Sequence, residues 1–262
     1  MTDEAAPQRL VDLAHALADA ARPVAKRYFR QPLDIIEKAD ESPVTIADRE
    51  IETEMRALIE AHFPEHGIIG EEHGAVRADA DIVWVLDPID GTQAFITGMP
   101  IFGTLIAACR DGVPIVGIID QPILEERWVG AAGRPTTFQG AAARTSGCEA
   151  PERATLYATH PSMFEAIDRR ADFDRLAGAV RRTRFGGDCY AYGLLACGWA
   201  DLVVEAALQP YDFCALAPIV EGAGGAVSDW RGEPLTIRSD GTLVAAATPA
   251  LNVAARGLLE RG

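Results

Sequence analysis

The chain has 262 residues, enough for one large domain or two closely joined halves with a well-buried core. Hydrophobic residues make up 48% and charged residues 24%, the balance of a soluble globular protein. The formal net charge of −15 sets the surface against nucleic acid and leaves small anionic substrates reachable where a bound cation reverses the local field.

The five cysteines are odd in number and include no C-x-x-C pair, which argues against a disulfide framework and for a reducing, cytoplasmic compartment. The opening MTDEAAPQRL lacks the basic and apolar stretches of a secretory signal. The longest uncharged apolar run, residues 95–109, is broken by Gly98, Pro100 and Gly103 and falls short of the roughly 20 residues of a membrane span. No membrane partner is expected.

Leu10, Leu13, Ala14, Leu17 and Ala21 recur at helical spacing and predict an amphipathic helix to about Phe29. A second helix is predicted from near Thr45 to about His62. Thr45 and Asp48 resemble a capping box there, and Pro64 and Gly67 stop it. Residues 82–86 form a short apolar run that reads as a buried strand. Residues 102–109 and 113–119 flank Asp111-Gly112, a hairpin signal, and residues 127–129 add a further antiparallel strand. The first half thus reads as two helices on a mainly antiparallel sheet.

After about Ala150 the signals alternate. Strands are predicted at 156–158, 202–205 and 243–246, and helices at 163–176, 188–197, 212–221 and the C-terminus. This predicts a layered α/β half. The boundaries taken are 1–150 for an α+β half with the metal and phosphate site and 151–262 for an α/β half with substrate recognition, meeting at an interface of the kind where sites often sit.

The most informative segment is Trp84-Val85-Leu86-Asp87-Pro88-Ile89-Asp90-Gly91-Thr92. A buried strand ends and two acids follow within one turn, with Pro88 fixing the turn and Gly91 relaxing it. Carboxylates held this close raise each other's proton affinity unless a cation lies between them. Mg²⁺ takes such oxygen ligands. Gly91 and Thr92 are expected to open a short helix whose N–H groups face a phosphate. The plain alternative is a common turn with Asp90 as a helix cap.

Three further segments accompany it: Gly70-Glu71-Glu72-His73-Gly74, Ser42-Pro43-Val44-Thr45-Ile46-Ala47-Asp48, and Tyr211-Asp212-Phe213-Cys214-Ala215 leading to Glu221-Gly222-Ala223-Gly224-Gly225. Singly they read as a solvated acidic loop and two helix caps. His62 and His66, four apart but separated by Pro64, read as surface residues and not as zinc ligands.

Together and in this order the four segments resemble the inositol monophosphatase family of Mg²⁺-dependent, lithium-sensitive phosphatases, from about Leu10 to the C-terminus. The resemblance implies an αβαβα layered sandwich of the fructose-1,6-bisphosphatase type, a homodimer and two or three Mg²⁺ per site. Carried over by position, Glu71, Asp87 and the carbonyl of Ile89 would bind one metal, and Asp87, Asp90 and Asp212 a second. Asp48 and Thr92 would orient the attacking water. The N–H groups of Gly91 and Thr92 would hold the phosphate, with Lys38 nearby.

The sequence departs from the common family pattern at Ala94, where Asn or Ser is usual, at Tyr211, where Trp is usual, and at Asp188, where inositol-type members carry small polar or apolar residues. Within the family, DPIDGTQAFITGMPIFGTLI, GIIDQP, GDCY and DLVVEAALQPYD are similar to the histidinol-phosphate phosphatase branch. Histidinol phosphate carries an ammonium and an imidazole, which the acids Asp188 and Glu205 could meet, with Arg184 from the same segment as a further substrate residue. A helix cap for Asp188 and a strand-end acid for Glu205 are the competing readings. Inositol monophosphate, fructose 1,6-bisphosphate and a nucleoside 3′,5′-bisphosphate are the other substrates considered. A non-catalytic regulator or RNA-associated relative is the alternative of another class.

Overall fold

A computed structural model describes residues 6–31, 36–37, 43–44 and 46–260. Lys38 and Thr45, named above as a phosphate neighbour and a helix cap, lie outside the described residues.

Helix α1 (Gln8–Tyr28) forms as its periodicity predicts, with Leu10, Leu13, Ala14, Leu17 and Ala21 all buried. Strands β1 (Ile36–Glu37) and β2 (Pro43–Val44) pair antiparallel ahead of helix α2 (Ile46–His62). An eight-stranded sheet follows. Its members are β3 (Gly67–Gly70), β4 (Gly74–Val76), β5 (Ile82–Asp90), β6 (Gly103–Arg110), β7 (Val113–Gln121), β8 (Glu126–Ala131), β9 (Arg134–Phe138) and β10 (Ala141–Ala142), in the order β10-β9-β8-β7-β6-β5-β3-β4. All neighbours are antiparallel except β3 and β5. Helix α3 (Thr92–Thr97) lies between β5 and β6.

The second sheet has the order β12-β11-β13-β15-β14. Its strands are β11 (Thr155–Ala158), β12 (Arg182–Phe185), β13 (Leu202–Glu205), β14 (Ala226–Ser228) and β15 (Leu243–Ala246). The helices of this half are α4 (Ser162–Glu165), α5 (Arg170–Ala179), α6 (Asp188–Ala196), α7 (Pro210–Phe213), α8 (Leu216–Gly222) and α9 (Pro249–Leu259).

Strand alternation sorts the cores. Trp84, Leu86, Ile106, Ala108 and Ile118 face α1 and α2. Val83, Val85, Leu105, Ala107 and Ile119 face the opposite way, packing with α6, α7 and α8, and Val203, Leu243 and Ala245 of the second sheet close the same core. The far side of the second sheet, through Leu156, Leu202, Val204 and Val244, packs on α4, α5 and α9. The layers therefore run helix, sheet, helix, sheet, helix, as the resemblance implied. No helix among the described residues is long and apolar enough to cross a membrane.

Four local expectations are corrected. Residues 163–176 form two helices, because the chain turns through the left-handed region at Asp168 (φ 57°). Residues 212–221 likewise divide into α7 and α8. The strand predicted at 82–86 continues to Asp90, so Pro88 stands inside a strand and not in a turn. His66 is buried and not on the surface. It stacks on Phe63 at 4.3 Å between ring centroids and accepts a hydrogen bond from Trp84 Nε1 at 3.1 Å, whereas His62 is exposed. The short polar strands β9 and β12 were not anticipated, since they lack an apolar run and owe their form to pairing with neighbours.

The middle helical layer meets the large sheet at van der Waals contact. A side chain on Gly117 of β7 would overlap the Ala215 carbonyl, and one on Gly130 of β8 would overlap the backbone of Pro218 and Ile219. These two glycines let Ala215 and α8, which follow Asp212 in the chain, lie directly on the strands.

Two outcomes are expected. Gly117→Val should lower the urea unfolding midpoint, with a loss of about 1–3 kcal/mol from overpacking, while Gly178→Ala, in open space on α5, should leave it unchanged or raise it slightly. Equal midpoints for Gly117→Val and wild type would contradict the close contact. The second concerns His66. Burial holds its imidazole below the ordinary value of 6.5, with Arg9 acting in the same sense and Glu65 opposing. The unfolded chain then binds the extra proton first, so this contribution is full above pH 6.5 and is lost as pH falls toward the lowered native value. His66→Gln should flatten that part of the stability–pH curve in denaturant melts.

Candidate active site

The site begins where β5 loses its register. From Ile82 to Asp87 the strand pairs with β6 residue for residue, but Asp87 faces Leu105 and Asp90 faces Gly103. Three steps on β5 thus match two on β6, a bulge of one residue. Side chains three apart on a regular strand point to opposite faces, so it is the extra residue that brings Asp87 and Asp90 to one side. Thr104 Oγ1 donates to the Pro88 carbonyl at 2.7 Å and satisfies the backbone there. The chain turns at Gly91, whose φ of 81° lies in the left-handed region open to glycine, and α3 starts at Thr92.

Asp212 arrives from the second half on α7. It serves as a cap, since Gln209 N–H donates to Asp212 Oδ2 at 2.7 Å and the Gln209 side chain answers the Asp212 N–H. It also joins the cluster: one oxygen from each of Asp87, Asp90 and Asp212 lies within 4.8 Å of the others. Asp212 therefore stands at N3 of a capping box whose N-cap is Gln209, and its carboxylate also lies in the acid cluster.

Asp87 is 2% exposed, and its Oδ1 has no hydrogen-bond partner among the described residues. A buried carboxylate oxygen left in this state is costly. Burial first, then the charges of Glu71, Asp90, Asp212 and Asp48, push the Asp87 carboxyl well above the ordinary range. Burial, Asp188 and Asp212 do the same to Asp90. Glu71 and Asp48 thus lie close enough to act on Asp87, although Glu71 is not one of the three converging acids. A hard divalent cation fits this donor set: it would satisfy Asp87 Oδ1 and cancel the repulsion in one step.

Asp48 sits on the first turn of α2 and is 2% exposed. Thr92 Oγ1 donates to the Ile89 carbonyl at 3.2 Å. Asp188 opens α6 in the left-handed region (φ 42°), and its carboxylate lies over Gly91, where an added Cβ would meet Asp188 Oδ2 at 2.9 Å. The next residue, Cys189, donates its backbone N–H to Asp90 Oδ2 at 2.7 Å. Burial raises the Asp188 carboxyl, with the Thr159 hydroxyl opposing.

Glu205, 4% exposed on β13, is held by protein groups. Oε1 accepts from the Thr159 N–H at 3.0 Å and from the Thr159 hydroxyl, and Oε2 accepts from Tyr192 Oη at 2.7 Å. Arg184 is exposed on β12, with its guanidinium 5.9 Å from the Tyr157 ring centre. Sequence reasoning missed Cys189, Thr159 and Tyr192 as neighbours of these residues. Only the Cys189 position, beside Asp188 in GDCY, carried a signal that could have marked it.

The model of the inositol monophosphatase family matches residues 6–260. The bifunctional phosphatase IMPL2 of Arabidopsis thaliana, a chloroplastic protein, is 47% identical over 251 residues, covering 95% of this chain and 71% of its own. The histidinol-phosphatase of Chlorobaculum parvum is 34% identical, covering 90% of this chain and 91% of its own. Among solved structures, an inositol monophosphatase from Zymomonas mobilis matches with a TM-score of 0.90 and 49% identity, covering 98% of this chain and 100% of that one. The layered fold, the acids gathered at the end of β5 and a match over nearly every residue lead to one assignment: the chain belongs to the inositol monophosphatase family.

Proposed function

We propose that this phosphatase is a Mg²⁺-dependent phosphomonoesterase acting on L-histidinol phosphate, releasing L-histidinol and phosphate by attack of water. The observation that carries the metal-dependent reading is the convergence of Asp87, Asp90 and Asp212 from two distant parts of the chain, with a buried carboxylate oxygen lacking a protein partner.

When bound, Mg²⁺ supplies Lewis acidity and lowers the pKa of water. Asp87, Asp90 and Asp212, with Glu71 and the Ile89 carbonyl, are the groups that would hold it. The Thr92 hydroxyl already donates to Ile89, so its oxygen is an acceptor for an attacking water, and Asp48 is the second acceptor that aims it. In this reading the N–H groups of Gly91 and Thr92 would hold the phosphate, and Lys38, outside the described residues, remains a further phosphate residue of the proposal. In this reading residues 1–150 carry the metal and phosphate groups except Asp212, and residues 151–262 carry substrate recognition.

The substrate assignment is supported by the similarity to a histidinol-phosphatase and by Asp188. Histidinol phosphate bears its ammonium on the carbon next to the phosphate-ester carbon. An acid lying against Gly91 is beside the proposed phosphate cradle and favours a cation over a neutral polyol. Glu205 acts from behind, fixing Thr159 and Tyr192, and Arg184 meets substrate only from the solvent side. Inositol monophosphate is the second reading, favoured by the solved relative of that name. A cytoplasmic homodimer completes the proposal, supported on location by five free thiols.

Three measurements test it. Asp90→Asn should fold and lose Mg²⁺-dependent phosphate release by orders of magnitude; normal turnover would remove the metal assignment. Activity should vanish with chelator and return with Mg²⁺, an outcome a non-catalytic relative would not give. Asp188→Asn should lower kcat/KM for histidinol phosphate about tenfold or more while changing that for inositol monophosphate far less. Parallel losses on both would undo the substrate choice.

A further inference from the structure

We propose that Glu52 is a positioning residue for the metal site, fixing the hairpin tip that carries Glu71; the inference rests on the metal-dependent reading above. Glu52 is 0% exposed on α2 and has no part in the chemistry described so far. Strands β3 and β4 pair with Gly70 opposite Gly74, which leaves Glu71, Glu72 and His73 as the tip. The Glu72 N–H donates to Glu52 Oε2 at 2.7 Å and the His73 N–H to Glu52 Oε1 at 3.2 Å. The remaining tip N–H, of Glu71, donates to the Leu86 carbonyl at 3.3 Å, one residue before Asp87.

Arg56, one turn further along α2, donates Nε to Glu52 Oε1 at 2.7 Å and Nη2 to the Gly74 carbonyl. The strut thus ties both the apex and the returning strand to the helix. Gly70 completes it, since any side chain there would overlap the Glu52 carboxylate. Asp48, Glu52 and Arg56 recur every four residues, so one face of α2 presents Asp48 to the acid cluster and the strut to the tip. Arg49 reinforces the clamp with an ion pair to Glu72 at 3.6 Å, and Thr53 with a contact to His73 at 3.1 Å.

A buried charge is a poor way to stabilise a helix–hairpin contact, because an apolar residue of that size does it without desolvating a carboxylate. Its use here follows from what the tip carries. Glu71 acts on Asp87 as a like charge, a repulsion that works against holding the tip inward unless a cation lies between them. Two N–H bonds to a fixed carboxylate, itself neutralised by Arg56, hold the tip inward against that force. Glu52 therefore sets metal affinity and leaves the chemical step alone.

The test is binding of Mn²⁺ to the full chain, read from the free-ion EPR signal, for wild type, Glu52→Gln and Glu71→Gln. The Gln amide cannot accept at both oxygens and leaves Arg56 without its counter-charge. Glu52→Gln should bind Mn²⁺ about tenfold or more weakly, and the Mg²⁺ needed for half-maximal activity should rise in step. At saturating Mg²⁺ its kcat and substrate KM should stay within about threefold of wild type, a split that a general loosening of the fold would not give. Wild-type affinity in folded Glu52→Gln overturns the inference. If Glu71→Gln also binds like wild type, the assignment of Glu71 as a ligand falls with it. If Glu71→Gln weakens and Glu52→Gln does not, only the inference falls. Should Glu52→Gln fail to fold, Arg56→Lys keeps the charge but loses the link to Gly74; several-fold weaker Mn²⁺ binding supports the strut, and unchanged affinity overturns it.

Discussion

Carboxylates of one sign share a space within which the oxygens of Asp87, Asp90 and Asp212 lie no more than 4.8 Å apart. At that separation each disfavours ionisation of the others, and burial of Asp87 adds to the effect. No chain gathers these groups for stability. The structure holds them with local devices: a one-residue bulge in β5, the capping box of Gln209 and Asp212, a left-handed glycine at 91 and close contact of Ala215 and α8 with two strands. A divalent cation bound there would turn the repulsion into attraction, which is why the donor set fits one.

The middle helical layer is where the two sheets communicate. It packs against the large sheet through Val83, Val85 and Leu105 and against the small one through Val203, Leu243 and Ala245. Its helix starts point at the same place. The α6 start brings the Asp188 carboxylate over Gly91 and the Cys189 N–H to Asp90, and α7 brings Asp212. Under the proposed function, metal binding and substrate selection would meet on one seam, and a change at residue 188 would alter which molecule is accepted while the cluster of acids stays in place.

Several buried polar groups outside the acid cluster are paired by protein. Glu205 takes its hydrogen bonds from Thr159 and Tyr192, Glu52 from two tip N–H groups and Arg56, and His66 from Trp84. Each is satisfied by protein and is structural or positioning in character. Asp87 Oδ1, in the acid cluster, has no hydrogen-bond partner among the described residues and is available to a ligand.

What the amino-acid order determined by itself was local and periodic. The spacing of Leu10, Leu13 and Leu17 specified α1, Asp111-Gly112 specified the β6–β7 turn, and the four acidic segments in order specified the family. Tertiary structure decided the rest, because it depends on groups far apart in the chain. Pro88 reads as a turn until pairing with β6 holds β5 extended through Asp90. His66 reads as surface until Trp84 from another strand supplies its donor, and Glu52 reads as one more helix acid until the hairpin tip folds onto it. Periodicity reports which face of an element is buried, but a hydrogen-bond partner or a like charge twenty or a hundred residues away leaves no mark on local pattern, and only the folded chain brings it within reach.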